Sequence, residues 1–262
     1  MSLFDRFRLD GQKLFITGGS RGLGREMALA IAEAGADVIL VGRDGESLQQ
    51  TTEDIRSLGR QAWSFQRDMA QPTECEETCQ EAIAQHGPID ILINNAGLGR
   101  GHDGFFSSSA SEIDEMIDLN VGAAIHVVHA VAAGMVERGY GHIVQIGSIT
   151  GLYPLGFTAY GATKGAIHLF AKNLRMELKG TRVRQTEICP GRIQTEFFDT
   201  AFKSVEEKEQ FLSGFTPLMP ENVAEAAMYA LDTPWSVNVS MIELTATERI
   251  PGGASIERAR DV

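Results

Sequence analysis

The chain is a succession of short apolar runs separated by longer segments whose apolar positions recur every three or four residues. Short apolar runs bounded by glycine, proline or polar residues are typical of strands buried in a parallel sheet. Seven segments fit that description and are expected to be strands: 13–17, 37–41, 62–66, 89–93, 142–146, 183–189 and 240–244.

The intervening segments have the periodicity of helices. Helices are expected from the glycine-rich turn after residue 17 to about residue 35, and over 44–59, 72–87, 111–136, 158–179 and 221–232. Strands and helices alternate without an internal repeat or a linker, which predicts a parallel, doubly wound sheet with helices on both faces. The whole chain, 1–262, is therefore expected to be a single α/β domain.

The turn after the first strand carries the glycines Gly18, Gly22 and Gly24 in the spacing G-x-x-x-G-x-G. Glycine permits a tight turn, lets the backbone approach a pyrophosphate, and leaves the amides of the following helix free to bind it. Because the motif lies between a strand and a helix, it predicts a dinucleotide site. A structural turn without a ligand is the alternative.

Two arginines lie where such a site would recognise the adenosine ribose. Arg43 follows the second strand, and Arg21 lies inside the glycine loop. Guanidinium groups suit a 2′-phosphate, whereas an NAD site places a carboxylate there, so the pair favours NADP(H) over NAD(H). The alternative is that both are solvated surface residues. Asp44 could cap the next helix instead of serving the site.

Two further positions at strand ends are candidates for cofactor contacts. Asp68, after the third strand, either accepts a hydrogen bond from the adenine amino group or caps the helix that begins near Pro72. The fourth strand opens onto Asn94, Asn95, Ala96 and Gly97, whose small and polar side chains let a sugar and a nicotinamide lie against the backbone.

The candidate chemistry centres on Ser148, Tyr160 and Lys164. Tyr160 and Lys164 are spaced to share one face of a helix, about one turn apart. A neighbouring ammonium favours the phenolate and so lowers the pKa of a tyrosine toward the range of efficient proton transfer. Ser148 can hydrogen-bond the oxygen that gains or loses the proton.

Other positions have weaker signals. Asn120 lies in mid-helix, where asparagine is disfavoured, so it either serves the chemistry or bonds a neighbouring backbone group. His126 and His129, on the same helix, are expected to pack, and His102, in the glycine-rich loop 98–110, is expected at the surface. Five phenylalanines between 196 and 219 predict either an amphipathic lid over a ligand, at about 192–219, or an ordinary core stripe.

Composition narrows the class of protein. With a net charge of −12 and a pI of about 5.0, the chain is not expected to bind nucleic acid or an anionic membrane. Cys75, Cys79 and Cys189 form neither a paired framework nor a zinc motif, so reduced thiols and no metal are expected. No signal peptide and no uninterrupted apolar run of membrane-spanning length are found, and we expect a cytoplasmic protein.

These motifs together resemble the short-chain dehydrogenase/reductase family. The likeness covers residues 9–195 and rests on six features in order: Thr17-Gly18-x-x-x-Gly22-x-Gly24, Asn94-Asn95-Ala96-Gly97, Asn120, Ser148, Tyr160-x-x-x-Lys164 and Pro190-Gly191. It implies a Rossmann-like fold, a nicotinamide cofactor and an Asn–Ser–Tyr–Lys tetrad.

The resemblance also assigns roles. Tyr160 would give or take the proton, Lys164 would lower its pKa and hold the nicotinamide ribose, and Ser148 would polarise the carbonyl. Asn120 would fix a water that links Lys164 to solvent. The remaining cofactor contacts that the likeness implies are Ser20 and Leu23 in the glycine loop and Pro190, Gly191, Ile193 and Thr195 after the sixth strand. The arginine pattern again implies NADP.

The C-terminal segment departs from the common family pattern and looks more like the subgroup that acts on 3-hydroxy acids. By analogy with the family, a homotetramer or homodimer built on the helices at 111–136 and 158–179 is expected. The leading hypothesis is an NADP(H)-dependent oxidoreductase that interconverts a small-molecule carbonyl and a secondary alcohol. The alternatives are an NAD(H)-linked or 3-hydroxy-acid enzyme of the same family, and a non-catalytic NADP(H) sensor. The joint presence of four catalytic residue types argues against the sensor.

Overall fold

A computed structural model describes residues 9–100, 104–195, 197, 202 and 204–249. Its seven strands are β1 (Lys13–Thr17), β2 (Asp37–Gly42), β3 (Ala62–Gln66), β4 (Ile91–Asn94), β5 (Gly141–Ile146), β6 (Val183–Pro190) and β7 (Met241–Leu244). They form one parallel sheet in the order β3-β2-β1-β4-β5-β6-β7. The predicted doubly wound sheet is confirmed.

The helices are α1 (Gly22–Glu33), α2 (Gly45–Ser57), α3 (Pro72–His86), α4 (Ala110–Ile117), α5 (Ala124–Arg138), α6 (Thr158–Glu177), α7 (Val205–Leu212) and α8 (Pro220–Asp232). Side chains on each strand alternate between two cores. Leu14 and Ile16 of β1 join the core beneath α1, α2 and α8, whereas Phe15 joins the core beneath α3, α5 and α6. Both faces of the sheet are therefore covered by helices.

The helix predicted at 111–136 contains an irregular turn. Between α4 and α5, Asp118–Ala123 forms a turn of π-helix, and Asn120 lies within it, buried. Single π-turns inside helices commonly mark functional positions. The expectation that His126 and His129 pack is wrong, because both side chains are exposed in this chain, on the side of α5 opposite its buried valines.

Within the described residues, one helical segment, Ala110–Arg138, is long and apolar enough to cross a membrane by length and composition, with a mean hydropathy of 1.6. Polar residues such as Asn120 interrupt it. Its residues Val127, Val128 and Val131 are buried against the sheet, as in the core helix of a globular protein. The segment is therefore weak evidence for a membrane span.

The structure shows which of two aspartates, Asp44 and Asp68, caps the helix that follows it. Asp44 caps α2, because its carboxylate accepts a hydrogen bond from the Ser47 amide at 3.0 Å. Asp68 does not cap α3: the N-cap is Gln71, and Asp68 accepts instead from the Ala70 amide at 3.1 Å. Of the loop at 98–110, Phe105–Ser107 forms a short 3-10 turn, and His102 lies outside the described residues.

Candidate active site

A large cavity, of about 650 Å³, lies at the carboxyl ends of the strands. This is the edge at which doubly wound sheets bind ligands. Of the residues predicted from the sequence to contact a cofactor, Asn94 does not line the cavity and instead donates from Nδ2 to the Ala124 carbonyl at 2.8 Å. The others line it: Gly18, Ser20, Arg21, Gly22, Leu23, Gly24, Arg43, Asp68, Asn95, Ala96, Gly97, Tyr160, Lys164, Pro190, Gly191, Ile193 and Thr195. Ser148 lines it as well.

The glycine loop is tightly folded against the end of β4. Gly18 and Gly22 have φ angles of +65° and +52°, which side-chain-bearing residues rarely adopt. A Cβ at Gly24 would overlap the backbone carbonyl of Gly18. Asn95 donates from Nδ2 to the carbonyls of Thr17 and Gly18, at 3.0 and 3.1 Å. The loop is thus preorganised as a backbone cradle next to the amino end of α1.

The hydroxyl of Thr17 completes this support, and sequence reasoning assigned it no role. Its Oγ1 accepts from the backbone amides of Asn95 and Ala96, each at 3.0 Å. The two strand ends are therefore fastened together directly below the cavity. The sequence feature that could have pointed to this role is the position of Thr17, as the first residue of the glycine motif.

Arg21 and Arg43 are brought to one rim of the cavity, although they are separated by a helix in the sequence. Both are exposed. The pKa of Asp44 is lowered chiefly by its hydrogen bond from the Ser47 amide and further by the charge of Arg21, which places Arg21 near that carboxylate. The rim can therefore offer two guanidinium groups to an anionic ligand.

Tyr160 and Lys164 occupy successive turns of α6, as predicted. The Lys164 Nζ lies 5.9 Å from the centre of the Tyr160 ring and donates to the Ile146 carbonyl at 2.8 Å. Lys164 is buried, and burial lowers its pKa to about 8. A lysine with this pKa can exchange a proton near neutral pH.

The pKa of Tyr160 does not follow the sequence-based expectation. Burial raises it above the ordinary value, and the hydrogen bond with Ser148 acts in the opposite direction. Lys164 is not among the groups that shift the phenol pKa, so the lowering that the expectation required is not found. In this structure the phenol is therefore a protonated group poised to donate.

Ser148 is fixed by its neighbour Thr150. The Ser148 Oγ accepts from the Thr150 amide at 3.2 Å and from the Thr150 hydroxyl at 3.0 Å. Since both of these bonds use lone pairs, the hydroxyl hydrogen of Ser148 is left to donate toward the phenol or a substrate oxygen. Thr150 lines the cavity, and sequence reasoning did not predict it as a site residue. The sequence feature that could have indicated it is its position in the turn two residues after Ser148.

Asn120, the fourth predicted catalytic residue, does not line the cavity. Its Oδ1 accepts from the Leu98 amide at 2.8 Å, and its Nδ2 donates to the Leu98 carbonyl at 2.9 Å and to the Thr163 hydroxyl at 3.1 Å. A Cβ at Gly97 would lie 3.1 Å from Asn120 Oδ1 and 3.7 Å from Lys164 Nζ. Asn120 and Lys164 therefore border the same glycine, and the predicted water relay stays a prediction.

Aromatic residues from 197 to 215 surround the outer part of the cavity. Phe197 lies 5.8 Å from Tyr160, and Phe211 of α7 lies 5.7 Å from Phe157, between ring centres. Arg192 stacks on Phe211 at 3.7 Å and donates to its carbonyl, and both line the cavity. The described part of 192–219 therefore contributes to a ligand cavity, which favours the first of the two alternatives for this segment. Sequence reasoning named its phenylalanines and missed Arg192.

Comparison with known proteins assigns the chain that forms this cavity to a family. Residues 12–206 match the family model described as short chain dehydrogenase. An NADP-dependent 3-hydroxy acid dehydrogenase of Salmonella typhi is 36% identical over 249 residues, which cover 94% of this chain and 99% of that protein. Its counterpart in Escherichia coli K12 is 35% identical over 248 residues, with the same coverage.

Two solved structures similar to this chain are also dehydrogenases, each in complex with NADP+ or NADPH. The closed form of a serine dehydrogenase in complex with NADP+ superposes with a TM-score of 0.86 at 35% identity, covering 95% of this chain and all of that one. A short-chain dehydrogenase from Sphingobium yanoikuyae in complex with NADPH has a TM-score of 0.79 at 29% identity, covering 88% of this chain and 87% of that one.

Proposed function

The chain belongs to the short-chain dehydrogenase family, and from that premise we propose that it is an NADP(H)-dependent oxidoreductase that interconverts a secondary alcohol and a carbonyl. The observation that carries the proposal is the convergence of three features on one cavity. These are the glycine cradle after β1, the arginine pair on its rim, and the group Ser148, Tyr160 and Lys164. A protein that only bound the nucleotide would need the first two and not the third.

The residues of the cradle fit a dinucleotide. The surface at Gly18 and Gly24 is backbone, and a side chain at Gly24 would collide with that backbone, so a pyrophosphate can approach closely. Arg21 and Arg43 suit a 2′-phosphate, and relatives whose names specify NADP support that choice. Asn95, Ala96 and Gly97 would accommodate the nicotinamide half together with Ile193 and Thr195. When bound, the nicotinamide supplies the hydride chemistry.

The chain itself handles the proton. Tyr160 donates the hydrogen of its hydroxyl to a carbonyl oxygen during reduction and takes it back during oxidation. Ser148 donates a second hydrogen bond to that oxygen, because its lone pairs are already held by Thr150. Lys164, with a pKa of about 8, replenishes the phenol when it is charged. Asn120 would order a water between Lys164 and solvent.

We further propose that the substrate carries a carboxylate separated from its reacting carbon by one intervening carbon, as in a 3-hydroxy acid. Relatives of this chain are named for 3-hydroxy acids and for serine, and their match covers nearly their whole length. Arg192 provides a cation within the cavity, and it forms no ion pair with a carboxylate in the described part of the chain. Its charge can therefore be used by a substrate.

The remaining expectations extend this proposal. Residues 1–262 would act as a single domain in which 192–219 forms the substrate lid. A homotetramer or homodimer is supported by apolar side chains exposed on α5 and α6: Ile125, Val136, Leu169 and Met176. Cytoplasmic localisation fits the absence of a paired cysteine framework in the sequence.

The proposal is tested by fluorescence titration of the purified protein with NADPH and with NADH. Absorbance at 340 nm is then followed with 3-hydroxy acids, simple secondary alcohols, ketones and aldehydes. We expect tighter binding of NADPH and turnover of 3-hydroxy acids in preference to uncharged alcohols. Binding without turnover of any compound would favour the sensor, and absence of binding by either nucleotide would refute the assignment.

A further inference from the structure

A cluster of ionisable residues lies behind the active site, outside the cavity. The Glu187 carboxylate of β6 is 2% exposed and accepts a hydrogen bond at 2.6 Å from the Nδ1 of His168 on α6. The thiol of Cys189 completes the cluster, and the ligating atoms of all three lie within 4.8 Å of one another. None of the three lines the cavity or has a part in the proton transfer described above.

The cluster continues the catalytic face of α6 by one turn. Tyr160, Lys164 and His168 follow each other at intervals of four residues, so they lie along one side of the helix. Glu187 reaches the same side from the neighbouring strand. A Cβ on Gly147 would meet the Oε1 of Glu187 at 2.5 Å and the Sγ of Cys189 at 3.0 Å. The carboxylate therefore lies beneath the backbone that joins Ile146, the acceptor for Lys164, to Ser148.

Only one of the two oxygens of the Glu187 carboxylate has a hydrogen-bond partner among the described residues. Oε2 is held by His168, whereas Oε1 is buried and has no hydrogen-bond partner among the described residues. A buried carboxylate with an unpartnered oxygen costs free energy that an apolar side chain at the same place would not. The fold alone does not explain a charged group here.

A metal ion does not account for the cluster. Ligand atoms on one tetrahedral zinc, each about 2.0–2.3 Å from the metal, lie more than about 3 Å apart. The 2.6 Å between His168 Nδ1 and Glu187 Oε2 is instead the separation of a short, charge-assisted hydrogen bond. The two side chains are therefore hydrogen-bonded to each other and are not two ligands of one metal ion.

Lys164 is bonded to the carbonyl of Ile146, the residue that precedes Gly147, and the Glu187 carboxylate lies against Gly147. Lys164 makes no ion pair within the described residues, and its ammonium is bonded only to the Ile146 carbonyl. Burial lowers its pKa, and the thiolate form of Cys189 and the negative charge of Glu187 oppose that shift. Burial raises the pKa of the Cys189 thiol, so that Glu187 is the one of the two that is charged at working pH. The other ionisable groups around it are Tyr160 and His168 on its own helix, and Glu243, which is beside Cys189 on β7 and is held by the Tyr153 hydroxyl at 3.0 Å.

We propose that Glu187, oriented by His168, is a positioning residue of this active site, whose buried negative charge keeps Lys164 protonated at working pH. The His168 bond fixes the carboxylate beside Gly147, one residue from the carbonyl that holds the Lys164 ammonium, and the low dielectric of the interior strengthens the effect of its charge there. Through Lys164 it supports the proton supply to Tyr160. The inference deepens the proposed function and rests on it.

The decisive variant is Glu187→Gln, which removes the charge and keeps the shape and the acceptor for His168. The pH profile of kcat is measured for NADPH-linked reduction, alongside NADPH affinity at pH 7 by fluorescence. The basic limb, where Lys164 loses its proton, is expected to move to lower pH by about one unit. NADPH affinity at pH 7 should stay within about threefold, because about half of the Lys164 side chains are still charged there. Glu187→Asp keeps the negative charge, so the basic limb of its profile should lie close to that of the wild type.

Two comparisons separate electrostatics from folding. Glu187→Met places an apolar side chain of similar length in the same site, a kind of exchange that proteins often tolerate, and it should show the same shift. Glu77→Gln, on the exposed face of α3 and outside the cavity lining, should leave the profile unchanged. An active Glu187 variant whose basic limb does not move overturns the role of Glu187. So does failure of both the Gln and the Met variants to fold, since the residue would then be structural.

The two proposals fail in different ways. A wild-type protein with no NADPH-linked turnover refutes the proposed function itself. A wild-type enzyme that turns over, with a Glu187→Gln profile identical to its own, refutes only the inference about Glu187.

Discussion

The side chain of Asn120 brackets the backbone of Leu98, accepting from its amide at 2.8 Å and donating to its carbonyl at 2.9 Å. The π-turn at Asp118–Ala123 carries Asn120, and Leu98 belongs to the loop after β4, so the contact joins two walls of the site. Both partners are buried, which means that no water replaces either bond when it is lost.

Asn120→Ala is therefore expected to lower the free energy of unfolding by about 1–3 kcal/mol, because it leaves the Leu98 backbone unsatisfied. Denaturant titration followed by circular dichroism measures the change. Gln80→Ala is the matched control, since the Gln80 amide forms only an exposed bond to Glu76 and its loss should cost less than about 0.5 kcal/mol. Equal stability of the two variants would contradict this reading of Asn120.

Tyr160→Phe is expected to reduce kcat by at least about 100-fold, because it removes the hydroxyl that transfers the proton. NADPH affinity should stay within a few-fold, since the ring is retained. Tyr153→Phe is the control: the Tyr153 hydroxyl donates to Glu243 at 3.0 Å, away from the cavity lining, and its loss should change kcat far less. Full turnover by Tyr160→Phe would eliminate the phenol as proton donor.

The double variant Arg21→Ala, Arg43→Ala is expected to weaken NADPH binding at least about tenfold and to leave NADH binding nearly unchanged, because only NADPH has the 2′-phosphate. Fluorescence titration with both nucleotides measures the ratio. Arg60→Ala, which breaks an ion pair with Asp37 at 3.2 Å away from the rim, should affect neither. Equal losses for both nucleotides would show that the arginines do not read the phosphate.

Lys164→Met is expected to stabilise the protein without nucleotide at pH 7 by about 1–3 kcal/mol while abolishing turnover. The folded-state pKa of Lys164 is about 8, below its ordinary value of 10.5, so folding disfavours the charged form. That cost is fully present below pH 8 and disappears as pH rises from about 8 to 10.5. The advantage of the methionine variant should shrink over the same interval.

Thermal unfolding of the two proteins across that pH range provides the test, with Lys172→Met as the control. Lys172 lies on the same helix, α6, and is exposed, so its removal should change stability little at any pH. A Lys164→Met protein less stable than the wild type at pH 7 would mean that the bond to the Ile146 carbonyl outweighs the cost of burying the charge.

The amino-acid sequence predicts local features of this protein well. The β1 and β3 bounds agree with the structure to the residue. The residues of β1 after Lys13 are buried because helices cover both faces of the sheet there, and β3, at the sheet edge, has both buried and exposed side chains. The shared face of Tyr160 and Lys164 is equally local, since it follows from the pitch of one helix. The glycine motif between a strand and a helix specifies its own backbone turn and so locates the cradle.

The tertiary structure decides what depends on segments that are distant in the sequence. The bonding of Asn120 to Leu98 and the exposure of His126 and His129 depend on how elements pack, and a periodic pattern does not record packing. The same holds for the pKa of Tyr160, which burial raises, and for the pairing of His168 with Glu187. The sequence thus determines the sheet, the cradle and the reactive helix face, whereas desolvation and contacts between β6 and α6 set the charges that the chemistry uses.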